Sequence, residues 1–139
     1  MELIAVDVQT IEANANAVFS VTRIPGCSSI IHSDGSGIVK LRGITNQCRA
    51  RFRVSFGGNI AVAEGETVGP ISMAITIDGE ATQFSVMTVT PAAVGDFFNI
   101  YSSVYVDVPA DCCSTIAVTN ISDIAIDLQN ANLNVERVA

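Results

Sequence analysis

The sequence predicts one all-β domain built as an antiparallel β-sandwich, and three observations predict it. Apolar and polar residues alternate with period 2 along most of the chain, Val, Ile and Thr are abundant, and no window sustains an amphipathic helical stripe. The 139 residues are enough for a single hydrophobic core that needs neither disulfides nor a metal.

Turn clusters of Gly, Pro, Asn and Asp divide the chain into ten expected strands, at 4–8, 18–24, 29–32, 38–42, 49–60, 69–77, 83–90, 97–108, 114–120 and 124–138. Residues 1–17 begin strand-like and then turn polar and small (Thr10, Glu12, Asn14, Asn16). They are expected to form an N-terminal arm or an edge strand, with 18–139 as the sandwich proper. In 49–60, Ala50, Phe52, Val54 and Phe56 share one face and Arg49, Arg51, Arg53 and Ser55 the other, so the Phe face should be core. Gly57-Gly58 interrupts this run and reads as a bulge or a corner between sheets.

Asp78-Gly79 has the composition of a two-residue hairpin turn, pairing the strand that ends at Ile77 with one beginning near Gln83. In 97–108, Phe98, Ile100, Val104, Val106 and Val108 are expected inside, and Tyr101, Ser103, Tyr105 and Asp107 outside. Tyrosines beside short polar residues suit an interface as well as an ordinary outer face. The last strand needs a change of parity, because Ile124, Ile126 and Leu128 point one way on even positions and Ala131, Leu133 and Val135 then occupy odd ones. A bulge near Gln129-Asn130 reconciles them, beyond which Asn130, Asn132 and Asn134 are expected on one face.

Composition constrains the partners. Apolar residues make up 49% of the chain and charged ones 15%, against roughly 25% charged in an average globular protein. A small domain so poor in charge is expected to cover part of its surface with another subunit. The formal net charge of −7 excludes nucleic acid as the expected partner, and no apolar stretch reaches the length of a membrane helix. With an acid at position 2 and Asp7 cutting the first apolar run, no secretory signal is read. If Met1 is native, the chain is expected to be made and kept in a cytoplasm.

Five of the seven basic residues, Lys40, Arg42, Arg49, Arg51 and Arg53, fall within fourteen positions. They form either a docking strip or a salt-bridged strip within the fold. With no export signal read, Cys27, Cys48, Cys112 and Cys113 are expected as reduced thiols packed like small hydrophobes, with a disulfide as the alternative, and adjacent Cys112-Cys113 on a strand cannot give the short paired spacing of a zinc site.

No nucleophile elbow, phosphate-binding glycine loop, HExxH or EF-hand pattern is present, and the one histidine, His32, has no sequence partner for catalysis. The expectation is no catalytic residue, no metal site and no cofactor. Glu64, Glu66, Asp78 and Glu80 would hold Ca²⁺ only if their loops met. Asn120-Ile121-Ser122 has the form of a glycosylation sequon.

The strand order, the C-terminal strand and the run Gly69-Pro-Ile-Ser-Met-Ala-Ile-Thr-Ile-Asp-Gly resemble the trimeric jelly rolls of the tumour necrosis factor and complement globular-head type. Three segments are similar to small proteins encoded by phages and prophages of gut bacteria: Gln47-Cys-Arg-Ala-Arg-Phe-Arg-Val, Asp111-Cys-Cys-Ser-Thr-Ile and Asn130-Ala-Asn-Leu-Asn-Val-Glu-Arg-Val. The resemblance implies a jelly-roll-like sandwich, a homotrimer, and a non-enzymatic virion role such as capsid decoration, head fibre or tail-associated module, with phage capsid or tail proteins as partners. The alternative is a module that binds a glycan or a cell surface. Candidate interface residues under either reading are Lys40, Arg42, Arg49, Arg51, Arg53, Tyr101, Tyr105, Asn130, Asn132 and Asn134.

Overall fold

In the computed structural model, which describes residues 1–44 and 46–139, twelve strands form two six-stranded antiparallel sheets packed face to face. In chain order they are β1 (Glu2–Ala5), β2 (Gln9–Ile11), β3 (Val21–Ile24), β4 (Ile30–Ile31), β5 (Val39–Arg42) and β6 (Arg49–Val62). They continue as β7 (Ile71–Ile77), β8 (Glu80–Ala81), β9 (Met87–Val89), β10 (Phe98–Pro109), β11 (Cys113–Asn120) and β12 (Ile126–Arg137). The first sheet runs β10-β6-β12-β1-β3, with β2 also on β12; the second runs β4-β5-β11-β7-β8, with β9 also on β7. From β9 onward each successive strand crosses to the opposite sheet, as β5, β6 and β7 also do, which is the path of a jelly roll.

The alternation read from the sequence is the reason for this layering. Phe52, Val54 and Phe56 of β6, Val104, Val106 and Val108 of β10, and Leu133 and Val135 of β12 point between the sheets toward Leu41, Ile75, Ile116 and Val118 of the other layer. Phe19, on the connection into β3, meets Phe56 edge to face with centroids 6.3 Å apart.

Several expectations need correction. Residues 1–17 do not form a free arm, since β1 lies inside the sheet between β12 and β3 and Ala17 joins the core. Phe98 is 44% exposed rather than inside, at the first position of β10, the edge strand of its sheet. The expected strand 83–90 is instead a short 3-10 helix (Gln83–Ser85) followed by β9, with β8 ahead of both. The Ser85 hydroxyl, which receives the Ile75 amide at 2.9 Å, holds the chain away from the ladder there.

Gly57-Gly58 is neither a bulge nor a corner, since β6 pairs with β10 without a register shift from Arg49 to Ile60. The bulge is on the neighbouring β12, between Gln129 and Asn132, with Asn130 at φ 52°. A Cβ on Gly58 would stand 2.9 Å from Leu128 Cδ1 and 3.5 Å from Ala131 Cα, so the glycine makes room for the bulge opposite it. The Asp78-Gly79 turn forms, both residues at positive φ, but it pairs Ile77 with Glu80 at once rather than with a strand beginning near Gln83.

Candidate functional site: the outer face of the first sheet

The register of the first sheet brings most of the candidate residues together. Across β10, β6 and β12, Tyr105 stands opposite Arg53, and Arg53 opposite Glu136. One row further, Ser103 faces Ser55 and Ser55 faces Asn134; in the next, Tyr101 faces Gly57 and Gly57 faces Asn132. Glu2 of β1 continues the middle row beside Asn134, and Ile24 of β3 continues it beside Glu2. All of these side chains belong to the solvent side of the sheet, because the residues between them fill the core.

The two tyrosines are open to solvent, Tyr101 at 61% and Tyr105 at 63%. Four residues of extended chain separate them by roughly 13 Å. The Tyr101 ring passes 3.5 Å from where a Cβ of residue 57 would sit. Its phenol lies beside Ser55, Ser103 and Arg53, and hydrogen bonding from Ser55 first, then Ser103, holds its pKa below the ordinary tyrosine range. The Cδ2 edge of the ring therefore passes close over Gly57, and most of the ring is open to solvent. A shallow depression of ≈ 400 Å³ adjoins it, lined by Met1, Glu2, Ile24, Arg53, Tyr101 and Asn134 among others.

Polar groups around the rings are ordered by one another. Asn134 Nδ2 donates to Asn132 Oδ1 at 2.6 Å, and Asn132 Nδ2 donates to Glu2 Oε2 at 2.9 Å. Glu2 also accepts from Arg23, and the Asn132 bond first, then Arg23, keeps its carboxyl below the usual carboxylate range. Ser55 and Ser103 hydroxyls meet at 2.9 Å. At the edge of the face Arg51 grips Asp107 with Nε at 2.7 Å and Nη2 at 2.9 Å, with Arg49 at 3.7 Å. This grip holds Asp107 below its ordinary value.

Two candidate groups separate. The basic strip is not continuous: Lys40 and Arg42 lie on β5 in the second sheet, while Arg49, Arg51 and Arg53 lie on β6 in the first. Asn130 likewise leaves the Asn132–Asn134 pair, because the bulge takes it out of the ladder and its amide N–H donates to Val6 O at 3.1 Å.

The remaining residues singled out from the sequence fall elsewhere. All four cysteines are free and exposed, not packed as small hydrophobes. They sit in the turns and strand starts at one end of the sandwich, Cys112 and Cys113 beside Lys40 and Arg42. The Cys27 thiol is pulled below its ordinary pKa by the Ser29 hydroxyl, 2.8 Å away. Glu64 and Glu66 are separated from Asp78 and Glu80 by the seven residues of β7, roughly 23 Å of strand, so those loops do not meet. Among the described residues no group of three or more His, Cys, Asp and Glu is placed to hold a metal ion. His32 Nε2 bonds Ser36 O at 2.9 Å, while its buried Nδ1 has no partner. Asn120 is fully buried with its amide engaged, so the sequon is closed to modification in the folded chain.

No family model matches this chain, and no curated protein does. Solved structures share its layout at low identity. Rabbit GITRL is 16% identical over 81% of this chain and 78% of its own, with a TM-score of 0.45. The EclA C-terminal domain, a sugar-binding protein, is 12% identical over 96% and 81%, with a TM-score of 0.43. A family 35 carbohydrate-binding module from Cellvibrio japonicus Abf62 is 9% identical over 100% and 98%, with a TM-score of 0.39. At such scores they assign no role to any residue here.

Proposed function

We propose that this protein is a non-catalytic binding module that takes a glycan across the outer face of its first sheet. The observation that carries the reading is Tyr101, whose ring passes over Gly57 and stays open to solvent in the row beside Ser55 and Ser103, in line with the equally open Tyr105. An aromatic face fixed before binding stacks on the C–H face of a pyranose with little loss of side-chain freedom. Carboxamides and hydroxyls beside it, from Asn132, Asn134, Ser55 and Ser103, both donate and accept, as sugar hydroxyls require. The platform is open along its length, which suits an oligosaccharide of several rings better than a single small molecule.

A glycan array with the intact protein, followed by calorimetry on the best ligand, tests this. Tyr101→Ala should weaken binding by about tenfold, and Tyr101→Phe, which keeps the ring, by much less. No binding across a broad array, or binding untouched by Tyr101→Ala combined with Tyr105→Ala, would overturn the reading. The phage-like segments keep an assembly role, on a virion or elsewhere, as the second reading. The uncovered edge of β10 is the observation that favours it.

A further inference from the structure

Strand β10 closes the first sheet with an edge that, among the described residues, pairs with nothing: its twelve residues are matched to β6 on one side only. Edge strands are usually guarded by charge, proline, a bulge or short length. Here the strand is long and its register with β6 is unbroken. Its single charge, Asp107, is neutralised by Arg51, and its proline, Pro109, stands at the last position. Apolar side chains flank the edge as well. Phe84, 73% exposed, and Val86 project from the 3-10 helix and the connection that pack beside β10, and Phe98 stands at the strand's start.

We propose that a second copy of this chain covers this edge by antiparallel pairing of β10 with β10 about a two-fold axis through Ser103. The strand's own sequence selects that occupant and that register. Side chains keep their inward and outward faces only when paired positions share parity, and pairing centred on Ser103 satisfies this from Phe98 to Val108 while leaving Pro109, which cannot donate, outside the ladder. Ser103 then meets its own copy, Tyr101 meets Tyr105, and Asp107 meets Asn99 rather than another carboxylate. Moving the axis to Val104 would bring Pro109 into the ladder opposite Asn99.

The pairing is isologous and closes at two copies, so it replaces the trimer implied by the resemblance. It also joins the tyrosine rows of both copies into one surface. The inference stands independently of what that surface binds.

Native mass spectrometry and light scattering on the full chain test it. The expected species is a dimer of 14.6 kDa chains. Ser103→Lys and Ser103→Glu each place like charges opposite each other across the axis and should raise the dimer dissociation constant about fivefold or more. An equimolar mixture of the two variants should restore dimers, and Ser103→Thr should leave them intact. Circular dichroism establishes that each variant is folded. A monomer at micromolar concentration, a closed trimer, a dimer indifferent to both charges, or a mixture no tighter than its components would each overturn the proposal.

Discussion

The Asn120 carboxamide reaches Ile11 O at 3.0 Å, Glu12 O at 3.3 Å and Ile124 O at 2.9 Å, while its Oδ1 receives the Ser122 amide at 2.9 Å. One fully buried side chain thus ties the end of β11 to the end of β2 and to the turn into β12. Asn120→Ala leaves these carbonyls and one amide without partners in a dry site. Chemical denaturation should show a loss of about 2–4 kcal/mol, far above the effect of a surface Asn. The sequence displayed this residue only as the head of a sequon, because its partners Ile11 and Glu12 lie 109 and 108 positions away. Asp107 is legible in part: its outward side followed from alternation, its partner from the register. Its folded pKa lies below the ordinary 3.8, so the stability it contributes is complete above that value and is lost as pH falls through the depressed one. Urea melts of the wild type and Asp107→Asn should therefore differ by a constant amount above about pH 5 and converge as pH falls below the ordinary carboxylate range, with the gap shrinking in high salt.

Among the elements, the end of the sandwich where Gly43 passes the β10–β11 turn is the tightest. A Cβ at Gly43 would fall 2.1 Å from the Pro109 carbonyl oxygen, a backbone atom, whereas one at Gly69 would meet nothing within 4 Å. Gly43→Ala should cost about 2–3 kcal/mol or prevent folding, and Gly69→Ala should stay within about 0.5 kcal/mol, as thermal melts of the two would show. The bulge in β12 makes a matching pair of predictions. Asn130 at φ 52° should accept glycine with little change, while Asn130→Ile should lose about 1–2 kcal/mol in the same assay. The bulge could be read from the chain because it leaves a signature in one strand, the parity change between Leu128 and Ala131. The role of Gly58 could not, because that glycine answers a bulge in a different strand, far later in the chain.

At the scale of the whole molecule, β6, the longest strand, lies between the next two longest of the first sheet, β10 and β12, whereas β4 and β8 contribute two residues each at the margins of the second. Amide exchange should follow this order, with Val54 and Phe56 protected to the global unfolding limit and Ile31 and Ala81 exchanging by local opening. The sequence by itself determined the class and the faces. A period-2 pattern decides which side of a strand meets the core, so Phe52, Phe56 and Val104 inside and Tyr101, Tyr105 and the arginines outside were all readable without coordinates. What only the tertiary structure decided is which outside residues share a surface. That depends on strand order and register, which set neighbours at long range. Lys40 and Arg42 were close to Arg49 in sequence and lie in the other sheet, while Asn134 and Glu2, at opposite ends of the chain, stand side by side.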